Sequence, residues 1–250
     1  MDTGKQLYLD LMKRCLTNLI YQDRSTLFGK AEPFDLRMRV EGRDWPANAH
    51  TMIGIHRLDN LHFCVEDVLS RAVPGDLMET GVWRGGAAIL MRAILKVNGV
   101  TDRRVWCADS FEGLPPPDPA KYPHDANLTL NQFKELAVSL EEVQTNFRRY
   151  NLLDEQVKFL KGWFRDTLPG APVERLAVLR LDGDLYESTL DALTALYPKV
   201  SRGGYVIVDD YGDVPACRQA VHDYRQRHGI EEEIMRIDQA GVFWLKQGKQ

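Results

Sequence analysis

Three features are missing from this 250-residue sequence: a long apolar run, an excess of positive charge, and a closely spaced pair of cysteines. Because no uninterrupted apolar segment is present, we predict neither a signal peptide nor a membrane-spanning helix, and we expect a cytoplasmic protein. The formal net charge is −4. Since a nucleic-acid backbone or an anionic membrane would favour a basic patch, we predict neither as the main partner.

The cysteines give no sign of a disulfide framework or a zinc site. All four lie far apart in the sequence and form no C-x-x-C pair: Cys15, Cys64, Cys107 and Cys217. Both kinds of site usually require closer and more regular spacing. We therefore expect each thiol to pack as a small apolar side chain.

Short apolar runs alternate with helical patterns from residue 76 onward. The runs occupy 76–80, 105–109, 157–160, 176–181, 205–208 and 242–245. Apolar residues at helical spacing occupy 87–97, 140–149, 188–196 and 216–227. This alternation predicts βαβ units, and therefore an α/β fold with a mostly parallel sheet and helices on both faces.

The first third of the chain precedes this alternation. We divide the chain into an N-terminal helical extension or lid at 1–75, within the same domain, and a Rossmann-like core at 76–250. Helical spacing predicts helices near 5–21 and 62–72. The polar stretch between them, at 23–49, is interpreted as a flexible lid, as an arm that docks on a neighbouring molecule, or as an ordinary solvated loop.

A second departure is the insertion at residues 113–131, which is rich in proline, aspartate and lysine. It is too long for an ordinary connection between a strand and a helix, and insertions of that length often cover active sites. We predict a lid here, with His124 as a candidate contact to a substrate.

Glycines and acids follow the first two predicted strands. Glu79 is followed by a glycine turn, Gly81–Gly86, which allows close approach to a ligand at the start of a helix. Asp109 ends the second strand, where acids in nucleotide sites accept hydrogen bonds from ribose hydroxyls. An ammonium group near Glu79 and a ribose near Asp109 describe S-adenosylmethionine. A purely structural turn remains the alternative.

Four aspartates follow two later strands, Asp182 and Asp184 after one, Asp209 and Asp210 after the other. Carboxylates that meet at one edge of a sheet repel one another, so they usually imply a bound cation or raised pKa values. Oxygen ligands suit Mg²⁺, Mn²⁺ or Ca²⁺ rather than zinc. The alternative is that some of these aspartates cap helices.

Several sequence blocks together resemble the macrocin O-methyltransferase family, which methylates deoxysugars of macrolide and aminocoumarin antibiotics. The resemblance runs from Tyr8–Leu11 to Gly241–Val242. Its blocks are His50–Gly54, Glu79–Gly86, Ala108–Phe111, Gly162–Phe164, Leu181–Tyr186 and Val208–Tyr211. It implies a Rossmann-like class I methyltransferase fold, S-adenosylmethionine as methyl donor, Mg²⁺ as activator and a glycosylated natural product as acceptor.

The same resemblance implies a role for each matched residue. Asp182, Asp209 and Asp210 would hold the metal, and Asp184 would be the general base. The cofactor-binding residues would be Glu79, Gly81, Asp109 and Ser110, with Thr51, Met52, Trp163 and Phe164 packing around the cofactor.

Two other functions fit part of the sequence. A catechol-type, metal-dependent O-methyltransferase would use the same metal chemistry on a phenolic diol. A non-catalytic nucleotide-binding module would explain the glycine turn and Asp109, but it leaves the aspartate cluster without a purpose. We also expect self-association through the N-terminal extension, with Glu32 a candidate to reach a neighbouring site.

Overall fold

The computed structural model describes residues 3–248, and its centre is one seven-stranded sheet. The strands are β1 (Asp76–Thr80), β2 (Val105–Asp109), β3 (Val157–Lys161), β4 (Leu176–Leu181), β5 (Val200–Val208), β6 (Met235–Arg236) and β7 (Val242–Leu245). Their order in the sheet is β3-β2-β1-β4-β5-β7-β6. The first five run parallel, whereas β7 is antiparallel to both β5 and β6.

Helices cover both faces of this sheet. They are α1 (Thr3–Leu16), α2 (Leu36–Glu41), α3 (Gly54–Ser70), α4 (Gly86–Val97), α5 (Leu140–Arg149), α6 (Phe164–Thr167), α7 (Tyr186–Leu196) and α8 (Pro215–His228). Successive residues of a strand point to opposite faces, so Leu77 joins the core under α1, α3 and α4, while Met78 joins the core under α7 and α8. The predicted α/β Rossmann-like fold is confirmed.

The strand order places the carboxyl ends of β1, β2, β4 and β5 along one edge. The order reverses between β1 and β4, and open α/β sheets bind ligands in the crevice at such a point. The glycine turn after β1 and the acids after β4 and β5 are therefore neighbours in space, although about 100 residues separate them in sequence.

Several predicted boundaries shift. Helix α1 ends at Leu16, not near 21, because the Leu16 carbonyl accepts hydrogen bonds from the backbone N–H groups of His50 and Thr51. Helix α3 begins at Gly54, not near 62. Strand β5 begins at Val200 rather than 205, and the two-residue β6 was not predicted.

The stretch at 23–49, hereafter the arm, contains a helix that its polar sequence did not reveal. Helix α2 begins after Asp35, whose side chain accepts the Met38 N–H at 2.9 Å, and ends at Gly42 in the left-handed conformation. Its Arg39 is 1% exposed and binds Asp23 and Asp44. The arm is therefore held by buried ion pairs rather than by an apolar stripe.

The insertion extends further than predicted, to residue 138, and has little regular structure. Short 3₁₀ turns lie at Pro123–Asp125, Leu130–Gln132 and Lys134–Leu136.

Between residues 3 and 248, no helix has the length and apolar character that a bilayer crossing needs. All four cysteines are free; Cys64, Cys107 and Cys217 are buried as expected, whereas Cys15 is half-buried.

Candidate active site

One cavity of about 540 Å³ lies over the carboxyl ends of the central strands. All twelve predicted site residues line it: Thr51, Met52, Glu79, Gly81, Asp109, Ser110, Trp163, Phe164, Asp182, Asp184, Asp209 and Asp210. The arm and the insertion supply the outer wall, with Phe28, Trp45, Leu114 and Leu136 among its residues. The cavity is thus acidic at its floor and apolar at its mouth.

Close packing explains the glycines of the turn after β1. Gly81 has φ +82°, and a Cβ atom there would lie 1.6 Å from the carbonyl oxygen of Asp182. At Gly86, a Cβ would lie 2.5 Å from the carbonyl oxygen of His50 and 2.6 Å from Cβ of Thr51. The turn packs closely against the end of β4 and against the residues before α3, so neither position has room for a side chain.

Asp109 and Ser110 shape the neighbouring turn. The Asp109 carboxylate accepts the N–H groups of Val82 at 2.8 Å and Phe111 at 2.7 Å. The Ser110 hydroxyl donates to the Gly113 carbonyl at 2.6 Å. Burial raises the pKa of Asp109 despite these hydrogen bonds. Asp109 therefore fixes the turn at the point where it lines the cavity.

Three carboxylates converge on the cavity floor. Oxygens of Asp182, Asp184 and Asp210 lie within 4.8 Å of one another. Burial and the charges of neighbouring aspartates, Asp209 among them, raise the pKa of all three. The backbone at Asp184 is left-handed, with φ +56°, and its N–H donates to Asp210 Oδ2 at 3.0 Å. The cluster has the charge and the donor atoms for a divalent cation.

The fourth predicted carboxylate, Asp209, has different surroundings. It is 4% exposed, and each of its oxygens binds an arginine, Oδ1 to Arg180 and Oδ2 to Arg57. Arg57, on α3, also donates to Asp238 at 3.0 Å and to the Gly42 carbonyl at 2.8 Å. The structure therefore places Asp209 beside the three converging aspartates, but pairs it within the chain.

Glu79, at the end of β1, also meets Arg180. Arg180 Nη1 lies 2.6 Å from Glu79 Oε1 and 2.8 Å from Asp182 Oδ2. Burial raises the pKa of Glu79 to about 8, against the charge of Arg180. Glu79 Oε2 is buried without a hydrogen-bond partner among the described residues, which suits a donor group on a ligand.

The two arginines were not predicted as site residues. Arg180 interrupts the apolar run Leu176–Leu181 and is 1% exposed, and a single charge inside a buried strand is a usable sequence signal because it must be paired. Arg57 carried no such signal, because it lies in a helical segment where charged residues are ordinary.

The glycine turn also anchors both covering segments. Trp83 Nε1 donates to the Glu135 carbonyl of the insertion at 2.8 Å. Arg84 Nη1 donates to the arm carbonyls of Pro46 and Ala49, both at 2.9 Å. Aromatic rings of the arm and the insertion meet across the mouth, where the Phe133 centroid lies 5.3 Å from that of Trp45. The predicted substrate contact His124 instead stacks on Tyr186.

Comparison with known sequences gives consistent matches along nearly the whole chain. Residues 5–246 match the family model described as Macrocin-O-methyltransferase (TylF). The chain is 59% identical to the 8-demethyl-8-(2,3-dimethoxy-alpha-L-rhamnosyl)-tetracenomycin-C 4'-O-methyltransferase of Streptomyces olivaceus, over 97% of this chain and 94% of that protein. It is 57% identical to the demethyldecarbamoylnovobiocin O-methyltransferase of Streptomyces niveus, over 98% and 95%. It is 56% identical to the mycinamicin III 3''-O-methyltransferase of Micromonospora griseorubida, over 98% of each.

Solved structures agree with the sequence matches. The O-methyltransferase NovP superposes with a TM-score of 0.93 at 57% identity, covering 98% of this chain and 100% of that chain. The calicheamicin methyltransferase CalS11 superposes with a TM-score of 0.62 at 20% identity, covering 100% and 95%. At that lower identity the second likeness concerns the fold alone.

Proposed function

Because the chain belongs to the macrocin O-methyltransferase family, we propose that it methylates a deoxysugar hydroxyl of an antibiotic-type natural product, using S-adenosylmethionine and Mg²⁺. Methyl transfer from S-adenosylmethionine is what a class I methyltransferase fold implies. The observation that carries the metal-dependent part is the convergence of Asp182, Asp184 and Asp210 within 4.8 Å in the same cavity as the glycine turn.

The donor half of the cavity suits S-adenosylmethionine. Glu79 offers a buried carboxylate oxygen without a partner for the ammonium group. Asp109 lies at the end of the adjacent strand, where a ribose would be bound. Gly81 leaves room for close approach, and Thr51, Met52, Ser110, Trp163 and Phe164 complete the wall around the cofactor.

The acceptor half suits a hard divalent cation. Three carboxylates whose pKa values are raised by burial and by neighbouring aspartates are costly to ionise together without a compensating charge. All their ligand atoms are oxygens, which Mg²⁺ prefers. We propose that Asp182 and Asp210 bind the metal directly.

The third ligand is either Asp184 or Asp209. We assign Asp209, because each of its oxygens keeps a lone pair after accepting from an arginine. This choice leaves Asp184 without a metal bond and able to accept a proton. Asp184 also converges with Asp182 and Asp210, so comparing Mg²⁺ binding by Asp184→Asn and Asp209→Asn distinguishes the two assignments.

The chemistry then follows from the residues around the acceptor hydroxyl. Bound S-adenosylmethionine supplies an electrophilic methyl group, and bound Mg²⁺ supplies positive charge that lowers the pKa of the hydroxyl. Asp184 would accept the hydroxyl proton at its carboxylate while the oxygen–carbon bond forms, the methyl–sulfur bond of the donor breaks and S-adenosylhomocysteine leaves. Arg180 joins Glu79 to Asp182, which holds the donor and acceptor halves of the site at a constant separation.

The apolar mouth suits the non-sugar part of a glycosylated acceptor. It is lined by Leu27, Phe28, Trp45, Leu114 and Leu136.

We also propose that the protein acts in the cytoplasm and forms a homo-oligomer through its N-terminal extension. Light scattering at micromolar concentration checks the second point, since a monomer would contradict it.

Methyl transfer from labelled S-adenosylmethionine to a panel of glycosylated macrolides, aminocoumarins and aromatic polyketides tests the proposal. A simple catechol is included in the panel. We expect transfer to a glycosylated acceptor with Mg²⁺ and none with EDTA. Transfer that survives EDTA would remove the metal from the mechanism, and transfer to the catechol alone would replace the sugar by a phenolic diol.

A further inference from the structure

The insertion carries one carboxylate that is almost completely buried. Asp125 is 1% exposed, although most of the residues around it are exposed. It ends the 3₁₀ turn Pro123–Asp125, 16 residues after Asp109 at the end of β2. A buried carboxylate is costly unless it finds hydrogen-bond donors, so its partners identify what it does.

Those partners are the first two residues of α7. Asp125 Oδ1 accepts the N–H of Tyr186 at 2.7 Å, and Oδ2 accepts the N–H of Glu187 at 3.1 Å. The first N–H groups of a helix have no partner within the helix. The residue at the usual capping position, Leu185, has no side-chain oxygen to supply. Asp125 therefore caps a helix from 61 residues away in the sequence.

Ring contacts reinforce this attachment. His124 stacks on Tyr186, with centroids 5.2 Å apart and planes at 23°, and the Tyr122 ring lies 5.9 Å from the same ring. The Tyr186 hydroxyl donates to Asp223 on α8 at 2.8 Å. The insertion is thus attached to the first turn of α7 by two charge-assisted hydrogen bonds and two ring contacts.

Only a short connection separates this first turn from the acids of the cavity floor. Asp182, Gly183, Asp184 and Leu185 join β4 to α7. One end is held where the Asp182 N–H donates to the Thr80 carbonyl at 2.9 Å. Asp184 itself is left-handed, a conformation that persists only where the surrounding structure holds it. The other end is held by Asp125.

We propose that Asp125 is a positioning residue that holds Asp184 in place by capping α7 from the insertion. The proposal rests on the role of Asp184 as general base. Because Gly113, Leu114 and Leu136 of the same insertion line the cavity, the element that covers the acceptor also sets the position of the base. If the insertion moved away from α7, the acceptor would lose its cover and Asp184 would lose its fixed position.

Asp125→Ala removes both acceptors, and Asp125→Asn keeps one carbonyl oxygen. We expect kcat to fall about 10- to 100-fold in the alanine variant, with partial recovery in the asparagine variant, because small displacements of a reacting group cost rate steeply. Affinity for S-adenosylhomocysteine should stay within about twofold, since the glycine turn and Asp109 are untouched. Asp118→Ala, an exposed aspartate of the same insertion, is the matched control and should behave as the wild type.

Two readouts separate positioning from simple loss of folding. In a background of Asp184→Asn, adding Asp125→Ala should lower kcat no further, since both changes remove the same contribution. Amide hydrogen exchange should accelerate at Tyr186 and Glu187 in Asp125→Ala and stay unchanged in Asp118→Ala. An unchanged kcat in Asp125→Ala, or an additive loss in the double variant, would overturn the proposal. If the wild type methylates no sugar acceptor, the proposed function fails, whereas the exchange measurement still tests the cap.

Discussion

Two groups of clustered acids in this chain differ in how their charge is balanced. In the arm, Asp23 and Asp44 flank Arg39, and the guanidinium binds both. Burial alone would raise the pKa of Asp23, but hydrogen bonds from Arg39 and the Asn48 N–H, with the charge of Arg39, lower it. At the cavity floor, Asp182, Asp184 and Asp210 face one another, and their pKa values are raised.

The difference supports a structural role for the arm acids and the proposed metal-binding role for the floor acids. The arm acids are satisfied within the chain, so they need nothing from outside and hold α2 in place. Among the floor acids, Asp182 is the one that binds Arg180, so the negative charge of the cluster is only partly balanced by the described residues. Asp209 and Glu79 lie between these cases, because arginines neutralise them while they line the same cavity.

The largest expected effect comes from removing the proposed base at the cavity floor. Asp184→Asn should lower kcat about 10²- to 10⁴-fold, the range for a positioned general base. It should not lower the melting temperature, because it removes one of three repelling charges. Steady-state kinetics and thermal unfolding measure the two quantities, with the fully exposed Glu155→Gln as control. Near wild-type turnover would assign the base elsewhere.

Breaking the ion pairs of the arm should instead lower the stability of the folded protein. Arg39→Met leaves Asp23 and Asp44 buried without their cation, and we expect the free energy of unfolding to fall by about 3–5 kcal/mol. Urea titration measures this. Arg37→Met is the matched control, since Arg37 lies on the same helix with its side chain 83% exposed. An equal loss in both variants would mean that the buried pairs do not hold the arm.

Adding Mg²⁺ should supply the missing charge at the cavity floor. A ligand at 100 times its Kd stabilises the folded protein by about 2.7 kcal/mol. We expect this gain in the wild type and in Arg37→Met, and its loss in Asp182→Asn. Comparing Asp184→Asn with Asp209→Asn decides the third ligand. If Asp184→Asn weakens Mg²⁺ binding more than Asp209→Asn, then Asp184 binds the metal and another group accepts the proton.

The smallest expected effect is a pH dependence of opposite sign in the two clusters. An acid whose pKa is raised on folding, as for Asp184 to about 8, destabilises the metal-free protein as pH rises above the ordinary value of about 4. In EDTA, the wild type should therefore gain about 2 kcal/mol between pH 8 and pH 6 relative to Asp184→Asn. Asp23, whose pKa is lowered, contributes stability that is lost only as pH falls below that ordinary value. A flat difference between pH 8 and pH 6 would contradict this interpretation.

The local pattern of apolar residues was sufficient to locate the elements that bury one continuous apolar face. Apolar spacing indicates a buried face directly, so several elements lie at the predicted residues. They are the strands at 76–80, 105–109, 176–181 and 242–245 and the helix at 140–149. Helix α2 was missed because its stability comes from Arg39 and its distant partners rather than from spacing. The early start of α3 was missed because its first turns carry Arg57 and Asp59 among the apolar residues.

The sequence by itself determined the α/β fold, the glycine turn and which acids end the strands, since each of these depends on residues close together in the chain. Only the tertiary structure decided how the negative charges of those acids are balanced. Arg180 and Arg57 pair with Asp209, while Asp182, Asp184 and Asp210 face one another, and Asp125 reaches across to cap α7. Electrostatic balance depends on distances between side chains from different elements, and no local pattern in the chain records those distances.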